Sequence, residues 1–179
     1  MSHGRMGRLA ARGAARGALC ARADAPYAVS MQTLFDPADV KSILARLDAL
    51  GPDSPRRWGK MDPAQALAHL AIAMEGACDT AARKQTILGR VVSPFILGMV
   101  LGEKPFAKGS PTDPTYVVPD ARDFGREKAR LAEGIDRFVR RGSAQADYPV
   151  HPFFGRLTGE QWGRLTWKHL DHHLRQFGA

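Results

Sequence analysis

Residues 167–178 read WKHLDHHLRQFG and hold three of the six histidines of the chain. His169 and His173 are four positions apart, so on an α-helix their imidazoles lie one turn apart on the same face. A neutral imidazole nitrogen is a strong ligand for zinc, nickel, iron or copper, and this spacing suits two ligands of one divalent metal. The stretch therefore predicts a helix that carries part of a metal site.

The predicted helix around this stretch runs from about residue 158 to 177. Thr158 with Gln161 three positions later is typical of a capping box, and no proline follows in the rest of the chain. At 100° per residue, one face carries apolar side chains together with His169 and His173. The opposite face is predicted to be solvated and carries the charged residues Arg164, Lys168, Asp171 and Arg175.

Two histidines on an apolar helix face have two interpretations. Each imidazole either finds a hydrogen-bond partner in the core or binds a metal, because a buried imidazole without a partner is costly. His172 lies at the edge of this face, where it is the nearest candidate for a catalytic general base or is simply a boundary residue. Gln176, one turn later, can hydrogen-bond a ligand or a bound water.

Three more helices are predicted upstream, and the pattern begins at Met31. Asp36-Pro37 and Asp62-Pro63 each combine a capping aspartate with proline at the first helical position. Apolar residues then recur at three- and four-residue steps in segments that cover about residues 36–50, 62–83 and 121–141. No strand pattern, repeat or second domain is evident, and four long amphipathic helices predict an all-α, up-and-down four-helix bundle.

Residues 84–109 form an apolar, glycine-punctuated segment between the second and third of these helices. Its apolar run at residues 91–101 is too short, and too broken by Pro94, to span a bilayer. We expect an extra helical excursion that packs across the bundle as short helices or forms a dimer contact. No membrane partner is predicted.

His69 is the histidine that the second predicted helix supplies. It shares a face with small or apolar neighbours that leave room beside the imidazole: Ala66, Leu70, Ala73 and Gly76. Cys78 lies about halfway round the helix and is not expected to join the same site. Because bundles build metal sites where facing helices converge on the axis, we predict His69, His169 and His173 as three ligands of one metal. Zinc is the expected metal, with nickel or iron as alternatives, and further positions stay open for water or substrate.

Charge and cysteine content limit the classes of function. The net charge is +8, but residues 1–30 hold five arginines and one aspartate and thus contribute +4 of it. That Arg- and Ala-rich segment is predicted to be a disordered extension of the domain at 31–179, with a targeting segment as the alternative. The two cysteines lie in dissimilar surroundings, which favours a reducing compartment and a cytoplasmic location.

The combined motifs resemble the DinB/YfiT-like superfamily of four-helix metalloproteins. One histidine in the second helix precedes the pattern His-x-x-His-His-x-x-Gln in the last helix. Trp58-Gly59-Lys60-Met61 and His151-Pro152-Phe153-Phe154-Gly155 are similar to an uncharacterised branch of that superfamily. The resemblance covers about residues 31–179.

The resemblance implies that His69, His169 and His173 bind a metal in a bundle of unusual helix order, and that homodimers are frequent. It also implies small-molecule chemistry, either thiol-dependent transfer that uses a bacterial low-molecular-weight thiol or hydrolysis. Leu174 stands where many relatives have arginine directly after the last ligand, and Arg175 follows one place later. This departure argues against a specific thiol-binding role.

Three classes of function follow. The first is a metal-dependent transferase or hydrolase, in which the metal lowers the pKa of a bound water or thiol for attack on a small electrophile. The second is a non-catalytic metal-binding or stress-response protein of the same fold. The third, a nucleic-acid binder, ranks last because its arginines are scattered or lie in the detachable extension.

Overall fold

A computed structural model describes residues 31–79, 84–109, 116–145 and 148–179. These residues form five α-helices and no strand: α1 Pro37–Ala49, α2 Pro63–Cys78, α3 Ile87–Val100, α4 Phe124–Arg141 and α5 Gly159–Gln176. The prediction of an all-α fold is confirmed. The extension predicted over residues 1–30 lies outside the described part of the chain.

The predicted helix starts follow from their capping residues. Asp36 accepts hydrogen bonds from the backbone of the first turn of α1, and Pro37 follows it at the first helical position. Asp62 with Gln65, and Thr158 with Gln161, form complete capping boxes at the starts of α2 and α5. Two bounds differ from the prediction, since α2 ends at Cys78 rather than near Arg83, and α4 begins at Phe124 after its cap Asp123.

Helix α2 lies at the centre of the fold. It packs closely on α4 and also contacts α5, while α1 contacts α5. Small residues allow the close approach; for example, a Cβ on Gly134 of α4 would lie 3.1 Å from Cβ of Met74. Most of α2 is buried, as expected of a helix that is apolar over much of its circumference. His69, near the middle of α2, is therefore held in the interior.

The apolar segment at 84–109 contains one continuous helix, α3, rather than several short ones. Pro94 is inside this helix, and only Gly89 and Ser93 of α3 are buried. A Cβ on Gly89 would clash with the carbonyl oxygen of Phe153, so glycine is what allows α3 to lie against residues 151–155. No helix in the described ranges is long and apolar enough to cross a membrane.

The prediction that one face of α5 is exposed to solvent is wrong at two positions. Lys168 and Asp171 are only 6% and 4% exposed. Asp171 receives ion pairs from Arg46 of α1 and from Arg175. The ammonium of Lys168 donates to the carbonyl oxygens of Val100, Gly102 and Lys104. Helix α5 is thus covered on both sides, and the buried charges of Lys168 and Asp171 find partners in distant parts of the chain.

A candidate three-histidine metal centre

Helices α2 and α5 bring His69, His169 and His173 together. One ring nitrogen from each lies within 4.8 Å of the others. In a tetrahedral zinc site with bonds of 2.0–2.1 Å, ligand nitrogens lie about 3.3 Å apart. The three imidazoles can therefore converge on one ion by small side-chain adjustments, and this group can hold a metal.

The surroundings of His69 fix which of its ring nitrogens carries the proton. Its Nδ1 lies 2.8 Å from the backbone carbonyl oxygen of Tyr116. A carbonyl can only accept, so Nδ1 donates, and in the neutral ring Nε2 keeps a lone pair. Burial lowers the pKa of His69, against the opposing effect of the Tyr116 hydrogen bond, and this favours the neutral ring. His69 thus presents Nε2 in the state that a metal requires.

A chain of hydrogen bonds fixes the tautomer of His173 in the same way. The side-chain Nε2 of Gln176 donates to the carbonyl oxygen of Trp58 at 2.8 Å. This contact orients the amide, so Oε1 of Gln176 faces Nδ1 of His173, also at 2.8 Å, and accepts a hydrogen bond from Nδ1–H. Burial lowers the pKa of His173 to about 3, and the His69 charge acts in the same direction. The neutral ring therefore keeps its lone pair on Nε2.

His169 differs from the other two histidines in its exposure. As a residue it is partly exposed, whereas His69 and His173 are 3% and 8% exposed. Its Nε2 lies 2.9 Å from Nε2 of His69. Because His69 Nε2 holds a lone pair, His169 Nε2–H donates in this pair. Metal binding through this nitrogen of His169 requires that proton to leave.

Burial removes His169 from water and holds its pKa well below the ordinary value. The neighbouring imidazoles of His173 and His69 act in the same direction. Like charges in one small volume disfavour protonation of any member of the group. The three rings are therefore neutral near pH 7. Neutral imidazole is the form that binds metal.

His172, the predicted candidate for the general base, lies beside this group, with its ring centroid 5.0 Å from that of His173. The His172 ring lies between Trp58 and Phe106, with ring centroids 5.8 and 6.0 Å away. Burial lowers the pKa of His172, while the nearby Asp171 charge and a hydrogen bond to the Phe106 backbone oppose the shift. His151 has another role, since its Nδ1 accepts from the backbone N–H groups of Phe153 and Phe154 and so orders its own turn.

Three groups that support the site were missed from sequence: the carbonyls of Tyr116 and Trp58, and the ring of Phe106. Every residue has a carbonyl group, so the first two leave no signal in side-chain chemistry. Trp58-Gly59 is part of the motif that resembles the superfamily, but its contact with Gln176 depends on a backbone turn at Gly59, where φ is +79°.

These observations define the class: an all-helical protein whose interior holds three neutral histidines close enough together to hold a metal ion. The chain belongs to the DUF1569 family of proteins of unknown function, whose model matches residues 31–179. No curated protein and no solved structure matches the chain.

We expect Gly59→Ala to weaken metal binding although Gly59 bears no ligand. A Cβ at this position would lie 2.5 Å from Nε2 of Gln176, and the residue would be strained at its positive φ. Displaced Gln176 would no longer orient His173, and loss of such a hydrogen-bond partner raises a metal Kd by about 10–100-fold. Competition with a chromophoric zinc chelator measures this Kd.

The matched control is Gly142→Ala, which has a similar φ of +74° but no atom within 4 Å of the added Cβ. It carries the backbone strain without touching Gln176 and should keep the wild-type Kd. Equal Kd values for Gly59→Ala and the wild type would show that Gln176 does not position His173.

Proposed function

We propose that this chain is a metal-dependent enzyme of the DinB/YfiT-like type, with His69, His169 and His173 as ligands of one divalent metal, zinc in the first instance. The observation that carries the proposal is the tautomer of two of the histidines. Hydrogen bonds to Tyr116 and Gln176 hold the proton on Nδ1 of His69 and His173, so Nε2 of each ring keeps its lone pair. Two rings held in the same metal-ready state beside a third support a binding role.

The proposed fold follows from the helix contacts. Helices α1, α2, α4 and α5 correspond to the four long helices of an up-and-down bundle, and α3 is the excursion between the second and the third. The packing of α2 on α4 and α5, and of α1 on α5, supports this assignment. We also place the protein in the cytoplasm, on its low cysteine content.

The proposed reaction is thiol-dependent transfer or hydrolysis of a small electrophilic substrate. A divalent metal bound by neutral imidazoles lowers the pKa of a water or thiol toward neutrality. We place the approach of solvent and substrate on the side of His169, because it is the least buried of the three histidines. The buried His69 and His173, held by Tyr116 and Gln176, keep the ligands oriented and exclude water from the opposite side.

His172 is the proposed proton acceptor. One of its nitrogens hydrogen-bonds the Phe106 backbone, and burial keeps the ring neutral, so the other nitrogen carries no proton. Its ring centroid lies 5.0 Å from that of His173. Among the described residues, the histidine group contains no carboxylate, and Asp171 is occupied by Arg46 and Arg175. A general base contributes about 10²–10⁴-fold to a rate.

Turnover by zinc-loaded protein tests this proposal, with activated esters as hydrolysis probes and a low-molecular-weight thiol plus an alkylating electrophile as transfer probes. We expect His172→Ala to keep its zinc and lose more than about 100-fold in rate. Glu160→Ala, which changes an exposed residue in the first turn of the same helix, is the control and should keep both. Full zinc with no turnover of either probe class would favour the non-catalytic metal-binding alternative.

A further inference from the structure

Helix α3 exposes a row of large apolar side chains. Ile87, Leu88, Val91, Phe95 and Met99 are 63–84% exposed, and they share one face of the helix at successive turns. The opposite side of α3 lies on the protein through Gly89 and Ser93. The exposed row is named here the α3 face.

The size of the α3 face is that of a protein interface. A large side chain has about 150–250 Å² of surface, so five side chains exposed to this degree present about 700 Å². The largest apolar patch of an ordinary monomer is about 300–600 Å², and a specific interface buries about 800 Å² per partner. The α3 face alone nearly reaches that area.

The composition of α3 indicates what covers this face. A helix that lies on a membrane surface is typically rich in lysine and arginine on its polar side, but α3 has Arg90 as its single charged residue. The Arg- and Ala-rich residues 1–30 offer few large apolar side chains and match the face poorly. A second copy of α3 matches it in both area and apolar character.

An antiparallel pair of α3 helices also matches in charge and shape. The exposed row runs from Ile87 to Met99. Lys84 and Glu103, which are also exposed, lie at nearly equal distances in sequence on either side of the midpoint of this row. A two-fold axis at that point would place Lys84 of one copy beside Glu103 of the other. A Cβ on Gly98 would meet no atom within 4 Å, so the second helix can approach closely there.

We propose that the protein forms a two-fold homodimer through the α3 face, with Phe95 near the centre of the contact. Central aromatic residues dominate the binding energy of interfaces. The two Phe95 side chains would lie close to the axis, so one substitution changes the contact twice. This proposal is independent of the metal site, to which α3 supplies no ligand.

Sedimentation velocity of the full chain between about 1 and 100 µM tests the dimer. We expect the wild type to be dimeric, and Phe95→Glu to raise the dimer Kd by at least about 100-fold, because two unpaired carboxylates would be buried near the axis. Val117→Glu is the matched control, since Val117 is 56% exposed but lies outside α3, and it should stay dimeric. Circular dichroism melting of all three proteins checks that both variants are folded.

Every other outcome overturns the proposal. A dimer that survives Phe95→Glu would have a different interface. A monomeric wild type that co-sediments with anionic phosphatidylglycerol vesicles, and ceases to do so in Phe95→Glu, would assign the face to a membrane surface. A monomeric wild type in which Phe95→Glu speeds tryptic cleavage within residues 1–30 would assign it to that segment.

Discussion

His69→Ala and His173→Ala are each expected to purify without metal, while the wild type carries close to one equivalent of a divalent metal. Each substitution removes one of three ligands, and even losing the hydrogen-bond partner of a ligand raises a metal Kd by about 10–100-fold. We therefore expect the Kd of either variant to rise by more than about 100-fold. Elemental mass spectrometry of untagged protein measures the metal content and also identifies the metal.

His151→Ala is the control for this measurement. His151 is a histidine outside the group, and its Nδ1 is already occupied by the backbone N–H groups of its own turn. The metal content of the His151→Ala protein should equal that of the wild type. A metal-free wild type that also fails to bind added zinc would contradict the metal centre, and the three histidines would then be a hydrogen-bonded core cluster.

The sequence predicted much of the candidate site because its members follow local rules. The four-residue spacing of His169 and His173 places both on one face of α5, and the structure brings them together with His69. The helix starts at Asp36, Asp62 and Thr158 were predictable because a cap and its partner lie within three residues of each other.

Prediction from the sequence failed where side chains have their hydrogen-bond or ion-pair partners in distant parts of the chain. A helical wheel assigns one face to solvent, yet α5 is covered on both sides, so Asp171 is buried against Arg46, which is 125 residues away in sequence. The Tyr116 carbonyl that orients His69 is likewise 47 residues away. No local period or motif records such a pairing, since it depends on how the helices pack.

Lys168→Met is expected to destabilise the protein by about 2–4 kcal/mol, which is large for a lysine. The ammonium lies 2.5–2.8 Å from the carbonyl oxygens of Val100, Gly102 and Lys104. These oxygens lie at the carboxyl end of α3, where the last carbonyls of a helix have no partner within the helix and a cation is favourable. Methionine keeps much of the buried stem but leaves all three oxygens without this donor. Chemical denaturation gives the free energy of unfolding.

Arg175→Met on the same helix separates this effect from the loss of any cation. Arg175 is half exposed, and Asp171, its partner, keeps the ion pair with Arg46 when Arg175 is removed. Exposed ion pairs contribute about 0–1 kcal/mol, so this variant should lose far less stability. Equal losses in the two variants would contradict the special role of Lys168. Hydrogen exchange gives a second readout, because only Lys168→Met should raise amide exchange over residues 100–106. Since Lys168 precedes His169 in α5, its bonds also connect the end of α3 to the helix that carries two of the three proposed ligands.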